Sequence, residues 1–281
     1  VSKDPTPPVL TEAGRAGWQR LAAEPTVGLV ALDYDGTLAP IVPRPEDARA
    51  QPGTVPALQA LTAAGLRVVV ITGRPAQTAV ALGGLDAVPG LVVLGHYGLQ
   101  RWQGGTLTSP DPGPGVAQAR SALEAYAAQR GDGVSVEDKR HSVALHTRNA
   151  DDPAGAFEQA GPVLADLAAR TGLELVPGRF VLELRPPGTD KGGALRGELA
   201  AGDVRAVLVA GDDLGDLPAL DAVDEARSGG VVAVVVCSDS AETPAALRER
   251  SDLQVPGPPG VIATLQALAA AITASAARPP T

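Results

Sequence analysis

The sequence predicts an α/β protein: a doubly wound, mostly parallel sheet with a smaller α+β module inserted into it. Three observations carry that expectation. Short apolar runs alternate with segments of helical spacing, the rhythm of βαβ units. The rhythm breaks in the middle third, where strand pairs follow single helices. Acids, a hydroxyl and a lysine stand near the ends of these runs or open the next helix, the place where open α/β sheets put their ligands.

The first run, 27–32, is continuous and apolar, as a strand buried on both faces must be. Further strands are expected at 66–71, 91–94, 204–209 and 231–236. Helix-compatible spacing fills 54–64, 75–85, 191–200 and 214–223, and an Ala/Leu-rich helix is expected at 260–273. Gly104-Gly105 and a Pro/Gly cluster at 110–115 interrupt the alternation. A helix (116–130), strands 134–138 and 142–148, a second helix (154–171) and strands 173–176 and 180–184 follow, in the order αββαββ. Pro186-Pro187-Gly188 marks the exit. Residues 1–103 and 187–281 therefore form the larger domain and 104–186 the inserted one, with loose tails at 2–8 and 274–281.

Composition narrows the function. Of 281 residues, 44% are hydrophobic but only 2% aromatic and none is Met, so Val, Leu, Ala and Ile must build the core. A net charge of −9 argues against general nucleic-acid binding, which needs a basic excess to neutralise phosphates. It leaves room for a small phosphorylated ligand. Cys237 is the sole cysteine and closes the apolar run 231–236, so it reads as a core filler and no internal disulfide forms. No apolar run reaches the roughly 18 residues of a membrane span, and no secretory signal is visible, so no membrane partner and a cytoplasmic location are expected.

Four segments carry chemistry. Asp33-Tyr34-Asp35-Gly36-Thr37 follows the first strand, and two acids there need a reason, because aspartates are poor in strands and expensive to bury. Thr72-Gly73-Arg74 follows the second; its hydroxyl and backbone N–H groups can hold phosphoryl oxygens. Lys191 opens a helix against the helix dipole, which an ammonium reaching for phosphate explains better than helical stability does. Asp212, Asp213 and Asp216 crowd three acids into five residues after an apolar strand; a hard divalent cation such as Mg²⁺ relieves their repulsion. Each segment alone also reads as an ordinary turn, a surface lysine or a solvated acidic loop.

In this order the four resemble the haloacid dehalogenase superfamily of phosphotransferases. The resemblance implies a modified Rossmann core with the insert as a C2-type cap. Two cap stretches are similar to the trehalose-6-phosphate phosphatases. One places Glu137, Lys139, Ser142, His146 and Arg148 in an E-x-K…S-x-x-x-H-x-R pattern; the other is Gly178 to Pro186 followed by Asp190-Lys191-Gly192. Gly95-His96-Tyr97-Gly98 matches a glycine-flanked turn of that family, although His96 by itself fits a structural role equally well. The pattern departs from the family where Gly215 replaces a Thr and Leu217 a Glu.

The resemblance implies a Mg²⁺-dependent phosphatase acting on trehalose 6-phosphate, functionally coupled to a synthase of that sugar. Asp33 is then the nucleophile and Asp35 the acid and base; Thr72 and Lys191 hold the phosphoryl group. Asp33, the Asp35 carbonyl and Asp212 ligate the metal, with Asp213 and Asp216 around it. Arg74, His96, Glu137, Lys139, Arg148 and Glu183 contact substrate. Its rivals are a phosphatase for sucrose phosphate or mannosylphosphoglycerate, a phosphosugar mutase, and a non-catalytic sensor of trehalose phosphate.

Overall fold

The computed structural model describes residues 11–277; the expected tail at 2–8 and the last residues of the C-terminal tail lie outside them. In chain order the elements are α1 (Glu12–Ala23), β1 (Gly28–Leu32), α2 (Thr54–Ala63), β2 (Arg67–Ile71), α3 (Ala76–Gly83), β3 (Val92–Gly95), β4 (Gln100–Gln103) and β5 (Thr106–Thr108). Then come α4 (Pro114–Arg130), β6 (Ser135–Asp138), β7 (Val143–His146), α5 (Pro153–Thr171), β8 (Glu174–Gly178) and β9 (Val181–Arg185). The chain closes with α6 (Lys191–Ala200), β10 (Ala206–Gly211), α7 (Leu217–Ser228), β11 (Val232–Asp239), α8 (Ala245–Glu249), β12 (Leu253–Pro256) and α9 (Gly257–Ala276).

The chain divides into two compact units. Among the described residues the larger comprises those up to Thr108 and from Asp190 onward; the smaller is Ser109–Thr189, against the 104–186 read from sequence. The difference at the first boundary arises because β5 pairs with β4 at the edge of the larger sheet.

That sheet has eight strands in the order β12-β11-β10-β1-β2-β3-β4-β5. From β12 to β3 all pairs are parallel, and β4 and β5 close one edge antiparallel. Every residue of β1 and β10 is buried, as continuous apolar runs require when helices cover both faces. Residues of α1, α2, α3 and α9 pack one face, with Trp18, Leu58, Leu61 and Leu265 among the buried side chains. Leu195, Leu220, Val223 and Leu247, from α6, α7 and α8, cover the other. Gly17 sits where α1 presses on β11; a Cβ there would lie 2.6 Å from the Ala233 carbonyl. Cys237 is fully buried, and burial pushes its thiol up to about 11.

Five elements escape the sequence reading: α1, β4, β5, α8 and β12. Their patterns are weak for physical reasons. Gly14 and Gly17 dilute α1, Gln100-Arg101-Trp102-Gln103 is mostly polar, β5 and α8 are short, and β12 alternates and ends in Pro256. The expected helix at 214–223 starts at Leu217, because Asp213 and Asp216 close a capping box around a 3-10 turn at Leu214–Asp216. The tail expected from 274 is still helix through Ala276. α9 also corrects the membrane argument: with a mean hydropathy of 1.4 it is long and apolar enough to cross a membrane by length and composition. Polar Thr264, Gln266 and Thr273 break its apolar run, which is why a count of uninterrupted residues passes over it. Its Val261, Ile262, Leu265, Leu268 and Ile272 are buried in the core.

In the smaller unit a four-stranded antiparallel sheet, β6-β7-β9-β8, carries α4 and α5 on one face. Val143, Leu145, Leu182 and Leu184 point into that layer. By the period of two, Glu137, Ala144 and Glu183 form one cross-strand row on the opposite face.

Asp252, directly before β12, ties that strand and the start of α1 to α7 and β11. It is 2% exposed and accepts hydrogen bonds from Arg227 Nη2 (2.6 Å), the Val235 N–H (2.7 Å) and Thr11 Oγ1 at the start of α1. Asp252→Ala leaves the Val235 N–H unpaired in the interior and takes from the part-exposed Arg227 its closest carboxylate, leaving it Asp224 and the Ala233 carbonyl, so chemical unfolding should register a loss of about 1–3 kcal/mol.

Candidate active site

The site forms where chain direction across the sheet reverses. β1 lies between β2, reached directly, and β10, reached after the insert, so the loops after β1 and β10 diverge and leave a crevice at the strand ends. Asp33 follows β1 and its N–H still bonds the Ala210 carbonyl of β10 (3.0 Å). Thr72 follows β2, Asp212 follows β10, and Lys191 begins α6.

Lys191 Nζ lies 2.7 Å from Asp33 Oδ1 and 2.6 Å from Asp216 Oδ1, all three residues being buried. Burial disfavours its charge, but Asp33 and Asp216 outweigh that and hold the ammonium well above its ordinary value. Burial, aided by Asp216 and opposed by Lys191, pushes Asp33 up to about 7. Burial with the charges of Asp33 and Asp216 pushes Asp212 up to about 8. Carboxylate oxygens of Asp33, Asp212 and Asp216 all lie within 4.8 Å of one another. One ammonium does not balance three acids. An all-oxygen donor set of this charge suits a hard divalent cation, which would return both raised carboxyls to their ionised form.

Local structure holds the acids in place. Gly36 takes a left-handed φ of +79°, and a Cβ there would sit 2.0 Å from Asp212 Oδ2, so only glycine lets the two loops approach. Asp216 Oδ2 accepts the N–H groups of Asp212 (3.0 Å) and Asp213 (3.2 Å) and so fixes the loop after β10. Asp213 stands outside the close trio of acids; its Oδ1 accepts the Gly215 N–H at 2.8 Å.

Thr72 is buried and its Oγ1 accepts the Arg74 N–H (3.1 Å). Arg74 grips Asp35 bidentately, Nε to Oδ2 at 2.6 Å and Nη2 to Oδ1 at 2.7 Å, and donates from Nη1 to the Pro45 carbonyl at 2.8 Å. His96 and Tyr97 both take left-handed backbone conformations (φ +48° and +57°), and the His96 N–H bonds the Arg74 carbonyl (3.0 Å). Two supports went unnoticed in the sequence. Tyr34, the middle residue of the first motif, is buried and donates to the Ala48 carbonyl at 2.9 Å. Ser238, at the end of β11, donates to the Gly36 carbonyl at 2.6 Å. Tyr34 sat inside a recognised motif; nothing local marks Ser238, which lies 202 residues from its partner.

The smaller unit gathers most of its expected residues. Glu183 accepts from Lys139 Nζ (2.9 Å) and Ser142 Oγ (2.5 Å). Glu137 Oε2 lies 4.0 Å from Lys139 Nζ and 2.8 Å from His146 Nε2. Arg148 is not among them. β7 ends at His146, so Arg148 stands exposed in the following turn and does not share a strand face with Ala144 and His146 as the expected strand 142–148 had placed it.

With this geometry in view, the comparisons are specific. The family model described as trehalose-phosphatase matches residues 31–255. The trehalose-phosphate phosphatase of Mycobacterium marinum is 38% identical over 213 residues, covering 69% of this chain and 51% of that protein. That of Mycobacterium leprae is 34% identical over 226 residues, 73% of this chain and 50% of the relative. The chain therefore spans about half the length of these curated relatives. A solved structure of Aspergillus fumigatus trehalose-6-phosphate phosphatase superposes with a TM-score of 0.74 at 24% identity, covering 94% of this chain and 99% of that one, which shows a shared fold.

Glu183 gives a pH test of the polar network. Burial opposes its charge, but Lys139 and the Ser142 hydroxyl outweigh it and hold the carboxyl below the ordinary glutamate value of 4.5. Such a group stabilises the fold fully above the unfolded value and loses that contribution as pH falls through the lower folded value. The melting-temperature advantage of the wild type over Glu183→Gln should therefore be constant from pH 7 to about 5 and shrink below that.

Proposed function

The chain belongs to the trehalose-phosphatase family, and we propose that it hydrolyses trehalose 6-phosphate to trehalose and phosphate, with Mg²⁺ and a covalent intermediate on Asp33. The observation that carries this reading is the buried Asp33–Lys191–Asp216 arrangement at the switch point of the sheet, inside the segment that the family covers.

An Asp33 oxygen attacks phosphorus, and the bond from phosphorus to the sugar oxygen breaks. Asp35 gives its proton to the departing oxygen. Asp35 then takes a proton from water, whose oxygen attacks the aspartyl-phosphate and frees phosphate and Asp33. Lys191 meets the negative charge on the phosphoryl oxygens from a buried, fixed position. Thr72 accepts the Arg74 N–H, which leaves its own O–H for a phosphoryl oxygen. Asp33, Asp212 and the Asp35 carbonyl would hold Mg²⁺, with Asp213 and Asp216 beside them; the cation supplies the charge neutralisation that lets an anionic phosphate approach an anionic nucleophile.

The smaller unit, as the cap, reads the disaccharide. Glu137, Lys139 and Glu183 offer sugar hydroxyls charged partners that are already ordered by one another. A synthase of trehalose 6-phosphate supplies the substrate in this scheme.

Phosphate release measured over a panel of sugar phosphates tests the reading. Trehalose 6-phosphate should be preferred, EDTA should remove turnover and Mg²⁺ restore it. Preference for sucrose phosphate or glucose 6-phosphate would defeat the substrate assignment, and full activity without metal the cofactor. Asp33→Asn should fold and be inactive; near-normal turnover in that variant would exclude the covalent route. Glu183→Ala should lower kcat/KM for trehalose 6-phosphate about tenfold to hundredfold more than for p-nitrophenyl phosphate, the effect of losing one charged hydrogen bond.

A further inference from the structure

We propose that Arg74 is a positioning residue for Asp35, holding the carboxylate that moves the proton, instead of a contact to the sugar. The inference rests on the phosphatase reading of the site and adds a role that the sequence pattern did not assign.

Asp35 needs such a partner. It lies beyond the end of β1, beside Gly36 in its left-handed conformation, and outside the regular ladder; only an isolated bridge joins it to Ala39. A proton-transfer group must keep its oxygens in place to within a fraction of an ångström. Arg74 supplies the constraint. Its main chain is fixed on both sides, the N–H by Thr72 Oγ1 and the carbonyl by the His96 N–H. Its guanidinium is fixed by the Pro45 carbonyl and lies over the ring of buried Tyr34, 5.8 Å from the centroid. The remaining edge meets Asp35 with two parallel bonds, the strongest geometry open to this pair.

The fork also permits movement. One Asp35 oxygen can turn to the leaving sugar oxygen while the other keeps its bond to Arg74. The freed oxygen takes a proton from solvent and passes it to the leaving oxygen as the bond to phosphorus breaks; the attacking water later returns one to the same oxygen. Arginine stays protonated throughout and donates none of its own.

Substituted phenyl phosphates isolate this role, because they carry no sugar and differ chiefly in how much their leaving oxygen needs a proton. kcat/KM reports steps up to formation of the phospho-enzyme. In wild type the series should depend weakly on leaving-group basicity. Arg74→Ala should steepen it, with phenyl phosphate losing about tenfold or more relative to p-nitrophenyl phosphate. The ratio cancels any loss of folded protein. Arg74→Lys, which keeps the charge but not the fork, should fall between. Asp35→Asn should show the same steep dependence, and adding Arg74→Ala to it should steepen it no further.

An equal loss across the series would make Arg74 a phosphoryl contact or a fold residue and overturn the proposal. So would an unchanged aryl series with a loss confined to trehalose 6-phosphate, which marks a sugar contact. If the wild type acts on none of these esters, the phosphatase reading falls and the proposal with it; an active wild type with an unchanged slope in Arg74→Ala sinks the proposal alone.

Discussion

One buried ammonium holds the functional end of the larger unit together. Lys191 sits at the first position of α6, where its charge opposes the helix dipole, and it is 6% exposed. Both conditions are unfavourable by themselves. Asp33 at 2.7 Å and Asp216 at 2.6 Å make the position stable, and they in turn depend on it, since without the lysine two carboxylates would face one another in a poorly solvated interior. Because the three residues come from α6, the end of β1 and the turn before α7, the triad also fixes three loops relative to the sheet.

The remaining loop chemistry follows from that constraint. With one Asp216 oxygen on Lys191, the other is free to take the N–H groups of Asp212 and Asp213, which directs the loop after β10 toward Asp33. Bringing Asp212 so near the β1 loop forces glycine at 36 and leaves the Gly36 carbonyl to be met by Ser238. Asp35 is not one of the close trio of acids and is met by Arg74. A sheet packed on both faces gives these loops a rigid base, so small separations between acids persist despite their repulsion.

The smaller unit solves a different problem. Its inner sheet face is apolar, but the opposite face carries Glu137, His146, Glu183 and Arg185 around a fully buried Ala144. Glu183 is tied to both Lys139 and Ser142, so its orientation is set before any ligand arrives. A preordered polar face loses less entropy on binding a hydroxyl-rich molecule than a row of solvated side chains would.

Much of this was legible in the chain. Continuous apolar runs fixed the buried strands β1, β2, β10 and β11, because a strand covered on both faces admits few polar residues. The motif residues Asp33, Thr72, Lys191 and Asp212 could be found because they stand directly after such runs or open a helix. Elements with little local signal, α1, β4 and β12, are held by tertiary contacts such as those of Asp252, which no local pattern encodes. The sequence by itself determined which residues carry charge at the strand ends. The tertiary structure alone decided how they share it: Lys191 between Asp33 and Asp216, Arg74 on Asp35, Ser238 under Gly36, Arg148 beyond the strand. The reason is physical. A local run records burial and periodicity, whereas the pairing of charges from distant segments depends on strand order and loop closure, which become defined only when the whole sheet has formed.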